Sequence, residues 1–155
     1  MITLSETERI VEQVKRAFDG PAWHGPPILS LVKDVGAEEA YSKPIQGRHS
    51  IWEIVLHNLV WNNMVCESAE GKPMRDIPIE EDWLKIVKHD EGNWKVTITD
   101  FDVSKVKLIK AISSFPNGRL NEIVSGRTYS FYTLFHGLIQ HNIYHAGQIA
   151  VMKKK

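Results

Sequence analysis

The chain has 155 residues, 43% of them hydrophobic and 25% charged, and its 19 Lys and Arg balance its 19 Asp and Glu. This length fits one domain spanning 1–155 that buries its own core without disulfides or structural metal, so a bound metal would serve function rather than folding. Zero net charge, no basic patch beyond the tail Lys153, Lys154 and Lys155, and no apolar run near the roughly 20 residues of a membrane span argue against nucleic-acid and membrane partners.

The first helix is predicted from Ser5, with Glu8 three residues on as a capping-box partner and Ile10, Val11, Val14 and Phe18 facing inward. Gly20 and Pro21 stop it. The rigid loop Trp23-His24-Gly25-Pro26-Pro27 leads to a short helical turn with Ile28, Leu31 and Val32. A second helix starts at Ser50, again with a box partner in Glu53, carries Trp52, Val55, His57, Leu59 and Trp61, and ends near Gly71. The polar stretch from Lys72 to Trp94 reads as a crossover or a partly helical excursion. The third helix starts at Trp94 or at Asp102 and reaches Phe115: Val96 to Thr99 favour strand, yet Ile98, Phe101, Leu108 and Ile112 keep helical spacing. The last runs from about Thr128 to Met152.

The last helix carries the chemistry. Leu134, Leu138, His141, His145, Gln148 and Met152 share one stripe at 100° per residue. Phe135, Ile139, Ile143 and Ala150 lie opposite, so the helix is apolar nearly all round, and a homodimer interface is expected there. Cys66, the single cysteine, excludes an internal disulfide and points to a reducing compartment; the first residues lack the basic start and apolar run of a signal peptide, so the expected location is cytoplasmic.

His141 and His145, four apart, converge on one side of their helix and suit a divalent ion, but two ligands are too few. His57 lies in the middle of an apolar helix and shares its face with Trp61, Met64 and Glu53, which makes it the third candidate. Three buried imidazoles without partners would cost on the order of 1–3 kcal/mol each, whereas one ion satisfies all three and keeps positions open for reactants. Gln148 is one turn beyond His145 and could orient a ligand. Glu53 is a candidate base, although its capping-box place already explains it, and Tyr144 flanks the stripe. Trp61 and His24 are candidate substrate contacts. His136, rotated about 140° from His141, cannot share the ion, His89 falls in a polar loop, and His49 adjoins a helix cap.

These residues resemble a known family. The ending from His136 through His141 and His145 to Lys153, and the segment Ser50-Ile-Trp-Glu-Ile-Val-Leu-His57, are similar to the two helix signatures of the DinB/YfiT-like superfamily, and the Trp23-His-Gly-Pro26 loop is similar to that of a common subset. The resemblance covers nearly the whole chain and is weakest from Lys72 to Val103. It implies an all-α, up-down-down-up four-helix bundle, usually dimeric, with a metal on His57, His141 and His145. Nickel or zinc leads, with iron or manganese as further occupants. Characterised relatives include transferases and an isomerase that use low-molecular-weight thiols. The expected function is therefore thiol transfer to an electrophilic small-molecule substrate. Metal-dependent hydrolysis and a non-catalytic metal- or ligand-sensing dimer stand as alternatives.

Overall fold

The computed structural model describes residues 3–153; Met1, Ile2 and most of the lysine tail, Lys154 and Lys155, fall outside them. The described chain is all-helical. In order come α1 (Glu6–Phe18), α2 (Ile28–Val32), α3 (Ala37–Tyr41), α4 (Ile51–Ala69), α5 (Ile79–Asp82), α6 (Glu91–Ser113) and α7 (Phe131–Met152), with a 3-10 turn at Asn117–Arg119. Among the described residues there is no strand, only an isolated bridge between Ile123 and Ser130. No helix of them is long and apolar enough to cross a membrane.

Each long helix starts on a side-chain cap that satisfies otherwise unpaired amides. Ser5 and Glu8 close the predicted capping box of α1, and Ser50 and Glu53 that of α4. Asp90 accepts from the Asn93 N–H at 2.9 Å and fixes the start of α6, earlier than either Trp94 or Asp102. Ser130 caps α7 through the Thr133 N–H, two residues after the predicted Thr128. The strand-prone run Val96 to Thr99 stays helical because tertiary contacts override local preference. Buried Trp94 donates to the Val35 carbonyl at 2.6 Å, and the Trp52 indole donates to Thr97 Oγ1 at 3.0 Å.

Helix α4 packs on both α6 and α7, while α1 crosses α6 and α7 from the other side and α2 covers part of α7. Fully buried Phe18, Phe101, Phe135, Leu108, Ile112 and Ile149 fill the space between them, each contributing about 1.5–3 kcal/mol of burial. Of the four residues on the outer side of the last helix that motivated the expected dimer, Phe135 and Ile139 are buried within the one chain, Ile143 is half-buried and Ala150 is exposed. Much of the apolar circumference of α7 is met by α1, α2 and α4, while Ala150 and Val151 stay exposed.

The stretch from Lys72 to Asp90 is pinned to the rest of the protein. Met74 N–H donates to the Ser125 carbonyl at 2.9 Å, and Arg127 donates to the Arg75 carbonyl at 2.6 Å. Gly126 has φ +82°, and a Cβ there would collide with the Met74 carbonyl oxygen, so this approach requires glycine. The anchored stretch then lays the short α5 against α4.

Candidate metal centre

His57 projects from the middle of α4, and His141 and His145 from successive turns of α7. One ring nitrogen of each lies within 4.8 Å of the others. The His57 and His141 Nε2 atoms are 2.9 Å apart, and the ring centroids of the three are separated by 4.5 to 4.9 Å. His57 and His145 are buried, His141 half-buried.

The other nitrogens explain why the Nε2 atoms face inward. His57 Nδ1–H donates to Asp82 twice, to Oδ1 at 2.8 Å and to its backbone carbonyl at 3.1 Å. His145 Nδ1–H donates to Gln148 Oε1 at 2.7 Å. Both bonds fix the tautomer whose Nε2 lone pair is free, the arrangement that holds a metal-ligating histidine in place. Two facing Nε2 atoms share at most one proton, and buried His141 Nδ1 has no partner among the described residues. Protein groups alone therefore leave the cluster under-satisfied, and a divalent cation accepting three imidazole lone pairs fits it. Burial, then the neighbouring His145 and His57, pushes His141 from its ordinary 6.5 down to about 3. Burial also lowers His145. Both rings are neutral at pH 7, as ligation needs.

Asp82 and Trp83 were not anticipated from the sequence. Asp82 Oδ1 also accepts from the Trp61 indole at 2.8 Å, so one carboxylate ties His57 to Trp61. Trp83 stacks on His57 at 4.0 Å and on His49 at 3.5 Å, both nearly parallel. Their only sequence signal was an aromatic residue beside Leu84 and Ile86 in an otherwise polar stretch, which marks a segment docked on a core.

The other predicted positions divide. Trp61 borders the triad, with its ring 5.9 Å from His141, and Tyr144 places its exposed ring edge-on to His145 at 5.2 Å. Glu53 is engaged by its helix cap and by Lys43. Its carboxylate accepts from the Ser50 N–H at 2.7 Å and from Lys43 at 2.9 Å, with His49 at 3.5 Å. Burial works to raise its pKa, but Lys43 and the cap outweigh it and the net shift is downward. His24 is exposed in a groove with Trp23, Arg16 and Ile143, away from the triad, because the Gly-Pro-Pro loop turns on the far side of α7. His136 packs on Tyr132 and His89 stacks on Tyr41, both outside the cluster.

Two cavities adjoin the triad. The first, about 370 Å³, is bordered by His57 and His141 and walled by Trp61, Val65, Leu134 and Leu138. The second, about 660 Å³, is bordered by His145 and Gln148 with Trp83, Arg48, His49 and Tyr144. A helical fold with three converging imidazoles beside an apolar cavity defines a candidate metal-dependent protein of small-molecule chemistry. The model of the DinB superfamily matches residues 27–149, and the chain belongs to that superfamily. No curated protein and no solved structure matches it.

Proposed function

We propose that the four long helices form an up-down-down-up bundle, that His57, His141 and His145 hold a divalent metal, nickel or zinc before iron or manganese, and that the protein transfers a low-molecular-weight thiol to an electrophilic small molecule. The observation that supports this most is the pair of outer bonds, Asp82 to His57 and Gln148 to His145, which turn both Nε2 lone pairs toward His141. A divalent ion there would act as a Lewis acid that lowers the pKa of a thiol and keeps its sulfur ionised.

The chain's own groups then have defined tasks. Trp61 and Leu138 shield the reacting centre from water, and Asp82 holds the His57 proton at Nδ1 so that Nε2 stays unprotonated. The sulfur forms a bond to the electrophilic carbon while a halide leaves with its electron pair; with an epoxide, the C–O bond opens and the oxygen takes a proton from water. The thiol comes from solution. Burial pushes the chain's own Cys66 up to about 11, and it lines a different surface region. A dissolved thiol cofactor also suits a reducing, cytoplasmic setting.

A metal-dependent hydrolase usually offers a free carboxylate base, and here Asp82 is committed to His57 and Trp61 and Glu53 to its cap and Lys43. The test is a metal-loaded assay with a thiol panel and halogenated or epoxide electrophiles. Thiol-dependent consumption is the expected result. Ester turnover without thiol would replace transfer by hydrolysis, and neither activity would leave a metal- or ligand-sensing module.

A further inference from the structure

Two glycines inside α7 have no packing reason to be glycine. Each lowers helix stability by about 1 kcal/mol relative to alanine. Neither has a positive φ, and a Cβ built at Gly137 or Gly147 meets no packed neighbour within 4 Å. What distinguishes them is position: Gly137 borders the 370 Å³ cavity and Gly147 the 660 Å³ cavity. These cavities share no lining residue, and the histidine cluster lies between them, His57 and His141 on one and His145 on the other.

We propose that Gly137 and Gly147 are specificity-determining positions that keep open two chemically different mouths, one for a compact uncharged apolar group and one for an anionic reactant. The inference rests on the metal-dependent transfer reading and names the reactant class on each side. The first mouth offers no Lys or Arg, and its one carboxylate, Asp82, is already engaged by His57 and Trp61. Away from its histidine edge, a charged group placed there would lose its hydration without gaining a charged side chain as partner, whereas a single ring or short alkyl chain buries apolar area against Trp61 and Leu138. The second mouth has the opposite character. The Arg48 guanidinium makes no ion pair or hydrogen bond among the described residues, so it is free to receive a carboxylate or similar anion next to Gln148. Trp83, sandwiched between His49 and His57, is the wall on this side.

The test uses full-length protein loaded with nickel or zinc, with 19F NMR titrations of 4-fluorotoluene and of trifluoroacetate. Gly137→Leu is expected to weaken 4-fluorotoluene binding about tenfold or more and leave trifluoroacetate unchanged; Gly147→Leu and Arg48→Ala are expected to do the reverse. Nickel is expected to broaden both probes relative to zinc. Both leucine variants should keep or raise Tm, and the milder Gly137→Ala and Gly147→Ala provide graded versions of each block. If Gly137→Leu leaves 4-fluorotoluene affinity intact, or if either glycine variant weakens both probes equally, separate mouths are refuted. Elemental analysis of the same samples separates this from the parent reading: protein without metal overturns the metal site, while the probe shifts in zinc-free samples still decide the two mouths.

Discussion

Asp82 makes a quantitative prediction because its role divides into measurable parts. Its carboxylate accepts from His57 Nδ1 and from Trp61 Nε1, both at 2.8 Å, and its backbone carbonyl takes a longer share of the His57 proton at 3.1 Å. Removing a carboxylate that orients a ligating histidine costs about 10–100-fold in metal affinity, or roughly 1.4–2.7 kcal/mol. In Asp82→Ala the backbone carbonyl still holds the tautomer, but the charge and the tie to Trp61 are gone, so a loss within that range is expected. Asp82→Asn retains an oxygen for Nδ1–H and should lose about tenfold or less. The control is Asp76→Ala. It removes the same charge from the same stretch, but Asp76 is almost fully exposed and pairs only with Arg127, so affinity should hold. The assay is competition for zinc between metal-free protein and a chelating dye of known Kd. An Asp82→Ala protein that binds zinc as tightly as wild type would show that the carboxylate does not support the site, and an Asp76→Ala protein that weakens equally would show that the loss is not specific to it.

The metal-free protein should lose stability in acid. His141 is held near 3 by burial and by the neighbouring imidazoles, against an ordinary 6.5, so between those values the unfolded chain binds more protons than the folded one. Stability therefore rises with pH in that window and falls as the solution is taken from neutral toward pH 4, by on the order of a few kcal/mol; Tm against pH should show this, and His141→Gln should flatten the curve. An unchanged slope in that variant would locate the titrating group elsewhere. Thr97→Val should cost about 1–3 kcal/mol in urea unfolding, since it leaves the buried Trp52 indole N–H without its acceptor, and a neutral result would show that the bond is dispensable. Cys66 should alkylate with iodoacetamide far more slowly in native protein than in urea, and Cys66→Ala should keep any thiol-dependent activity; loss of activity on normal folding would mean that the chain supplies its own nucleophile.

The candidate ligands were legible because helical periodicity is a local signal: two histidines four apart on one stripe, and a third on the inward face of a capped helix. Serine and aspartate caps fix helix starts through side-chain bonds, so α1 and α4 were visible from Ser5 and Ser50, whereas Asp90 and Ser130 were overlooked in favour of hydrophobic periodicity. Asp82 and Trp83 carry no periodicity. They reach His57 only because Met74 and Arg75 are tied to the 125–127 loop, a contact between segments about 50 residues apart that no local pattern encodes. Glu53 went the other way: helical spacing put it on the His57 face, but the cap and Lys43 hold its carboxylate. The apolar girth of α7 did not reveal that α1 and α2 lie against part of it, because helix-to-helix contacts across the chain leave no local pattern.

Metal content after loading with nickel or zinc and removal of free ion reads the three-histidine site directly. One ion per wild-type chain is expected, with none retained by His57→Ala or His141→Ala and full occupancy in His24→Ala and His89→Ala. A His57→Ala protein that still holds one ion per chain would contradict that site.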